Sequence, residues 1–514
     1  MNNHSEYLNQ ILLSRVYDLA MQTPLDEAKS LSKQLNNKVL LKREDLQPVF
    51  SFKLRGAYNK MAKLTPSELA RGVIAASAGN HAQGVALSAK KLGCEATIVM
   101  PVTTPAIKIS AVERFGGKVV LAGESYSDAR KYAQELIDKS GAVFIPPFED
   151  PDVIAGQGTI GMEILRQHTD KINAIFVPVG GGGLAAGIAA YVKNLRPNIK
   201  VIGVEPKDSN AMYQSIKAGH LVELSEVGLF ADGVAVKLVG NETFSLCRDL
   251  LDAIVLVDTD AICGAIKDIF GDTRVVAEPA GALSLAGLKA YASRENIKDE
   301  TLVAIVSGAN MNFDRLSHVV DRSEIGSHRE ALLAVTIPEQ VGSFRKLCNA
   351  IGKRNITEVC TRFSDPVNAR VLVGIKVQGK NDVESVLIDL EKQGFSVIDL
   401  SDNELAKLHL RHMVGGNAPH VNSERLLRFF FPERPGALLD FMDAMKVEVN
   451  ITLFQYRYHG ADHGRVLVGF DVADSQREDF EDFLDRVEKM GYPRIEETDN
   501  PAYKLFLGWH SNDI

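Results

Sequence analysis

The C-terminal part of the chain is written twice, and this restricts its fold more than any other feature. Leu332-Leu333 through Pro338-Glu339 and Gly342 recurs as Leu426-Leu427 through Pro432-Glu433 and Gly436, at an offset of 94. Asn355-Ile356-Thr357 recurs as Asn450-Ile451-Thr452, and Arg370 to Gly374 recurs as Arg465 to Gly469, both at 95. Asp402-Asn403 with Lys407-Leu408 recurs as Asp499-Asn500 with Lys504-Leu505, at 97. Four blocks in one order mark two copies of one supersecondary unit. Each reads strand, Pro-Glu-x-x-Gly turn, helix, strand, strand, helix, strand, which is a ferredoxin-like βαββαβ order. The turn exposes backbone N–H groups at a helix start and suits a polar or carboxylate-bearing ligand; a pure subunit-contact role fits the spacing equally well. Met413 to His420 reads as the linker between copies.

The rest of the chain follows a different rhythm. At 514 residues the protein exceeds one hydrophobic core, and from about Asn37 to Asn312 short apolar runs alternate with helical stretches. Val39–Lys42, Val73–Ala76, Ala96–Met100, Lys118–Ala122, Ala174–Val179, Val201–Glu205 and Leu302–Val306 read as strands, and Ser51–Leu64 and His81–Leu92 as helices. The fold class expected is α/β, with mostly parallel sheets covered by helices. The domains expected are residues 1–321, 328–410 and 424–514.

Four motifs in the first domain carry chemistry. In Ser51-Phe52-Lys53-Leu54-Arg55-Gly56-Ala57 a lysine opens a helix beside apolar residues and Arg55, and these features favour a neutral amine able to form a Schiff base. In isolation it reads first as a surface lysine with a buried stem, as most lysines flanked by phenylalanine are. Ser77-Ala78-Gly79-Asn80-His81 joins a strand to a helix and is either an anion site for a substrate carboxylate or a plain N-cap. Gly180-Gly181-Gly182-Gly183-Leu184 follows a buried strand. Four glycines there cost chain entropy but let several N–H groups converge on one phosphate. Gly180, Gly182 and Ala185 also fit a relaxed dinucleotide fingerprint with Glu205 as the ribose acid, so a nicotinamide-dependent dehydrogenase is the rival enzyme. Ser307-Gly308-Ala309-Asn310 ends a strand with a hydroxyl suited to a pyridine nitrogen, or is a common Ser-Gly turn.

Taken together these motifs resemble the tryptophan-synthase-β-like group of pyridoxal-phosphate enzymes and, within it, the biosynthetic threonine dehydratases (threonine deaminases, threonine ammonia-lyases). The resemblance spans nearly the whole chain, the repeats being similar to that family's paired ACT-like regulatory domains. It implies that Lys53 holds pyridoxal 5'-phosphate covalently and later removes the substrate α-proton. It implies Asn80 at the cofactor's ring hydroxyl, Gly180, Gly181, Gly182, Gly183 and Leu184 at the phosphate, and Ser307 at the pyridine nitrogen. Ser77, Ala78, Gly79, Asn80 and His81 then form the substrate loop. The implied reaction converts L-threonine to 2-oxobutanoate and ammonia, the first step of isoleucine synthesis. Isoleucine is the implied inhibitor and valine the implied activator of a homotetramer. Two positions depart from related serine racemases: Ala78 stands where those carry a serine, which disfavours racemisation, and position 211 is alanine where they carry a metal-binding carboxylate. No divalent-metal site is therefore expected, although Glu205 is present. A dehydratase acting more broadly on serine and threonine, and an amino-acid sensor with an inactive catalytic domain, are the other readings.

The bulk properties agree. A net charge of −8 without a long basic run excludes a nucleic-acid surface. The five cysteines, Cys94, Cys247, Cys263, Cys348 and Cys360, form no CxxC pair, which suits a reducing cytoplasm. No apolar stretch approaches the ~20 residues needed to span a bilayer, and Met1 to Ala20 lacks the pattern of an export signal, so neither membrane nor export is expected.

Overall fold

A computed structural model describes residues 3–326, 329–338, 346–347, 350–351, 354, 356–362, 368–410, 423–432, 440–441, 444–445, 449–457 and 463–507. Its two compact units are Met1–Phe313 and Asp314–Ile514, a division slightly before Asp321. The helix Leu316–Gly326 groups with the second unit, where Arg322 meets Glu404 at 2.5 Å.

The first unit holds two sheets. In one, strands β1 (Leu25–Glu27), β2 (Lys38–Arg43), β7 (Ala174–Pro178), β8 (Lys200–Pro206), β9 (Ala253–Val257) and β10 (Thr301–Val306) run in the order β1-β2-β10-β7-β8-β9, parallel except for β1. In the other, β3 (Val73–Ala76), β4 (Ala96–Met100), β5 (Lys118–Leu121) and β6 (Val143–Phe144) run in the order β5-β4-β3-β6, all parallel. Helices cover both faces of a parallel sheet, so its central strands are apolar throughout: β7 is buried at every position. Three strands lie outside the expected set. β1 and β6 are too short to show a period, and all three of β1, β6 and β9 are edges with mixed exposure.

Helix Lys53–Met61 is fixed from below by a buried ionic cluster. Arg55 is fully buried; its Nε lies 2.7 Å from Glu44 and its Nη1 2.6 Å from Glu163, whose second oxygen meets Lys42 Nζ at 2.5 Å. Two cations and two carboxylates balance, and Thr23 Oγ1 donates to Glu44. Removing one partner strands a buried charge, which costs about 3–5 kcal/mol. Glu163→Leu is therefore expected to lower the unfolding free energy of this unit by an amount of that size, read in urea unfolding as a fall of the midpoint by that energy divided by the m-value; an unchanged midpoint contradicts the role given to the cluster.

In the second unit each copy forms a four-stranded antiparallel sheet. β11 (Glu330–Pro338), β12 (Ile356–Arg362), β13 (Asn368–Lys376) and β14 (Ser396–Asp399) take the order β12-β13-β11-β14. β15 (Glu424–Pro432), β16 (Asn450–Arg457), β17 (His463–Asp471) and β18 (Arg494–Glu496) repeat it as β16-β17-β15-β18. This is the ferredoxin-like order; the first three matched blocks begin or lie on matched strands, and the fourth falls on a short helix that follows the last strand of each copy. The first core is aliphatic, built on Leu333, Val335, Val371, Val373 and Leu390, whereas the second is aromatic, with Phe429, Phe441, Phe470 and Phe483 packed edge to face. The copies meet through a shared apolar cluster that includes the equivalent leucines Leu332 and Leu426. Asn403 and Asn500, also equivalent, each cap a short helix and hydrogen-bond each other at 3.2 Å, which marks a pseudo-twofold relation. Both Pro-Glu-x-x-Gly turns beyond Pro338 and Pro432, Asn355, and the Met413–His420 linker lie outside the described residues. Among the described residues no helix is long and apolar enough to cross a membrane.

Candidate active site

Three of the four chemistry-bearing motifs sit at the C-terminal ends of parallel strands, where open α/β sheets bind ligands. β3 ends at Ala76 and delivers Ser77 to Asn80; β7 ends at Pro178 and delivers the glycine loop; β10 ends at Val306 and delivers Ser307. Lys53 arrives by a different route. Residues 50–52 lie along the end of β10: Ser51 forms an isolated bridge with Gly308, Phe52 N donates to Ser307 O, and Ala309 N donates to Phe50 O. Main-chain pairing thus ties the lysine to the serine across most of the unit's sequence. Phe50 pays for the bend with a left-handed φ of 56°, a conformation that costs a side-chain-bearing residue energy and persists only where its surroundings enforce it.

A close helix approach completes the arrangement. A Cβ at Gly84 would lie only 3.2 Å from the backbone of Lys53 and Leu54, so glycine lets helix Asn80–Leu92 press against the start of the lysine helix. The same contact brings His81 within reach of the Lys53 charge.

Lys53 Nζ donates to Pro147 O at 2.9 Å. Burial of the ammonium pushes its pKa down to about 8, and the Glu278 carboxylate opposes that shift. Desolvation, rather than the neighbouring arginine, therefore brings the amine toward neutrality: Arg55 faces the opposite way into its carboxylates. The residue after Pro147, Phe148, packs against the glycine loop, since Cβ atoms on Gly181 or Gly183 would collide with it. The lysine amine and the loop are thus both braced by one short segment.

The loop leads into helix Gly183–Leu195, capped by Gly182 with φ 92°. Thr243 Oγ1 donates to Gly181 O at 2.6 Å, which uses up a carbonyl and leaves the N–H edge of the loop for an anion. Leu184 is buried in the core beneath.

Ser77, Ala78, Gly79 and Asn80 are half-buried, and a Cβ on Gly79 would meet nothing within 4 Å, so this loop borders open space. His81 is different. It is 3% exposed, and its Nε2 lies 2.8 Å from Ile145 O, which makes that nitrogen the donor. Burial and then the Lys53 charge press its pKa down to about 3, so the ring is neutral and engaged with the main chain. Ser307 Oγ stands 3.2 Å from Ala280 O, a long contact that a rotating hydroxyl can give up.

Glu205 is 1% exposed and accepts N–H bonds from Met212 and Tyr213 at 3.0 and 2.8 Å. Burial raises its carboxyl pKa to about 8 despite them. Its two oxygens each accept from the start of helix Ala211–Ala218, and the side chain is buried away from any ligand surface, which does not suit the ribose acid of the dinucleotide reading. Among the described residues no group of three or more His, Cys, Asp and Glu is placed to hold a metal ion.

The sequence motifs pass over Glu278 and assign no role to Asn310. Asn80 Nδ2 donates to Glu278 Oε1 at 2.6 Å, and Asn310 Nδ2 donates to Asn80 Oδ1 at 2.6 Å. Glu278 is the one charged residue between Arg274 and Lys289, and an isolated acid in a run of small and apolar residues is the signal that finds it.

These residues fit a phosphorylated pyridine aldehyde. A primary amine of lowered pKa, a glycine cradle at a helix start and an amide stand together, and Ser51 Oγ, fully buried beside them, has no protein partner.

Comparison with known proteins agrees with this fit. The family described as pyridoxal-phosphate dependent enzyme matches residues 16–308, and the C-terminal regulatory domain of threonine dehydratase matches twice, at 321–410 and 415–507. The chain is 57% identical to the L-threonine dehydratase biosynthetic IlvA of Burkholderia multivorans, over 98% of this chain and 99% of that one. It is 52% identical to its counterpart in Escherichia coli strain K12, over 98% and 97%. The solved structure of the processed form of threonine deaminase isoform 2 from Solanum lycopersicum superposes with a TM-score of 0.62 at 53% identity, covering 63% of this chain and 89% of that one. A lysine tied by backbone pairing to a strand-end serine and braced against a glycine cradle, joined to these matches, places the chain in the pyridoxal-phosphate-dependent threonine dehydratase family.

Proposed function

We propose that this chain converts L-threonine to 2-oxobutanoate and ammonia on pyridoxal 5'-phosphate attached at Lys53. The observation that carries the reading is the convergence of a desolvated lysine amine with the tetraglycine helix start on one brace, Pro147-Phe148. The bound cofactor supplies the electron sink that makes an amino-acid Cα–H removable.

The chain's residues do the rest. The N–H groups of Gly180 to Gly183, with Leu184, hold the phosphate at the positive end of a helix. Asn80 would hydrogen-bond the ring oxygen, and the Ser307 hydroxyl would meet the ring nitrogen without a charge. The open loop of Ser77, Ala78, Gly79 and Asn80 receives the substrate carboxylate on its backbone amides, and buried His81 keeps that loop in place through Ile145. Lys53 Nζ, close to neutrality, takes the α-proton. Loss of the β-hydroxyl as water and later uptake of water leave a net exchange of threonine for 2-oxobutanoate and ammonia.

The paired C-terminal copies bind isoleucine as inhibitor and valine as activator within a homotetramer in the cytoplasm. The double regulatory-domain match and the pseudo-twofold pairing of the copies support this reading. Control of this kind needs an effector that favours one state of the enzyme, with a coupling of typically ~1–3 kcal/mol.

Purified protein supplied with cofactor and threonine is expected to release 2-oxobutanoate, and isoleucine to suppress that release. No release from threonine overturns the catalytic reading. A chain ended after Asp321 is expected to keep turnover and lose isoleucine inhibition; persistent inhibition by isoleucine overturns the regulatory reading alone.

A further inference from the structure

We propose that Glu278 and Asn310 are positioning residues whose hydrogen bonds fix the Asn80 amide with an N–H, and not its carbonyl, turned toward the cofactor's ring oxygen. The inference deepens the cofactor assignment above and rests on it.

A carboxamide is nearly symmetric in shape, so only its partners decide which end is which. Here both ends of a short chain are pure acceptors. Val49 O accepts from Asn310 Nδ2 at 2.9 Å, which fixes the amide of Asn310. The same nitrogen donates to Asn80 Oδ1 at 2.6 Å, and Asn80 Nδ2 donates to Glu278 Oε1, also at 2.6 Å. Turning Asn80 over would set oxygen against a carboxylate and nitrogen against nitrogen. Two repulsive contacts would replace two hydrogen bonds, one of them charge-assisted. In the observed orientation Asn80 Nδ2 keeps one further proton, and that proton is the one available to the ring oxygen.

Glu278 is placed for this task. It stands at the N-cap of helix Pro279–Arg294, where an acidic side chain commonly accepts from its own helix's first amides, yet it makes no such bond. Its carboxylate reaches Asn80 instead, while the helix dipole favours its charge. Gly308 leaves it room, since a Cβ there would come within 2.3 Å of Glu278 Oε1. The carboxylate is also the charged group that opposes desolvation of Lys53. Its negative charge therefore favours a protonated nitrogen at position 53, and the N–H of Asn80 favours a negative ring oxygen. The two effects reinforce one charge pattern, that of a Schiff base absorbing in the visible.

The test uses the full-length holoenzyme and its absorption spectrum. Glu278→Gln keeps the shape but removes the charge, and its amide can meet Asn80 with either end. The expected result is a severalfold fall in the ratio of visible to near-ultraviolet absorbance of the bound cofactor, with one cofactor still bound per chain. Glu278→Asp, which keeps the acceptor, is expected to recover part of the visible band. Asn310→Ala loosens the opposite end, moves the band in the same direction, and decides the matter if the glutamine variant does not fold. A wild-type visible band that persists unchanged in Glu278→Gln or in Asn310→Ala overturns this inference alone. A wild-type protein with no visible band at saturating pyridoxal phosphate overturns the cofactor assignment, and this inference with it.

Discussion

Replacing Lys53 with alanine is expected to abolish the visible cofactor band and to cut 2-oxobutanoate release by roughly 10²- to 10⁴-fold, the range of a positioned acid–base group. Loss of covalent attachment adds to that. The physical basis is the desolvated ammonium. At pH 7.5 an amine of pKa about 8 is roughly one quarter unprotonated, against about one part in a thousand for a solvated lysine. Arginine at the same position cannot release its proton and is expected to be as inactive as alanine. The check is a spectrum and a steady-state assay on each variant; a Lys53→Ala protein that retains the visible band contradicts the assignment.

Gly182→Ala is the second large effect and acts on affinity. The residue has φ 92°, where an alanine is strained by about 1–3 kcal/mol. Its methyl would also lie 2.6 Å from Met212 Cε and 3.0 Å from Thr243 Cβ, both packed beneath the loop. Relief requires the loop to shift. Each charge-assisted N–H bond lost to the phosphate then weakens binding by about 1.5–3 kcal/mol, a rise in the cofactor dissociation constant of roughly 10- to 150-fold per bond. Gly271→Ala is the control. It lies in helix Thr259–Thr273 with nothing within 4 Å of the added methyl, and cofactor affinity is expected to stay unchanged. Titration of cofactor-free protein with pyridoxal phosphate measures both, and a Gly182→Ala affinity equal to wild type contradicts the cradle.

Much of the architecture was legible because periodicity and repetition are local properties. The apolar runs of β2, β3, β4, β7, β8 and β10 are continuous, as strands covered on both faces must be. The matched blocks of the C-terminal copies fall on matched elements because one template demands the same residues at the same places. The missed strands β1, β6 and β9 are edges, where partial exposure weakens the apolar signal; a test of each apolar run of four would still have found β9, Ala-Ile-Val-Leu-Val.

At the site the sequence supplied residue types but not directions. Asn80 and His81 are adjacent in one motif, yet one faces the half-open cleft and the other the main chain of Ile145. Arg55 seemed placed to lower the lysine pKa, but a helix turns residues two apart to different sides, and it points into Glu44 and Glu163. Glu278 and Asn310 reach Asn80 from 198 and 230 residues away, a proximity no local pattern records.

Borohydride treatment of the holoprotein, followed by peptide mapping by mass spectrometry, tests the central claim most directly. The account predicts a single stably reduced phosphopyridoxyl group, on the peptide carrying Lys53. Label on any other lysine, or none, would contradict it.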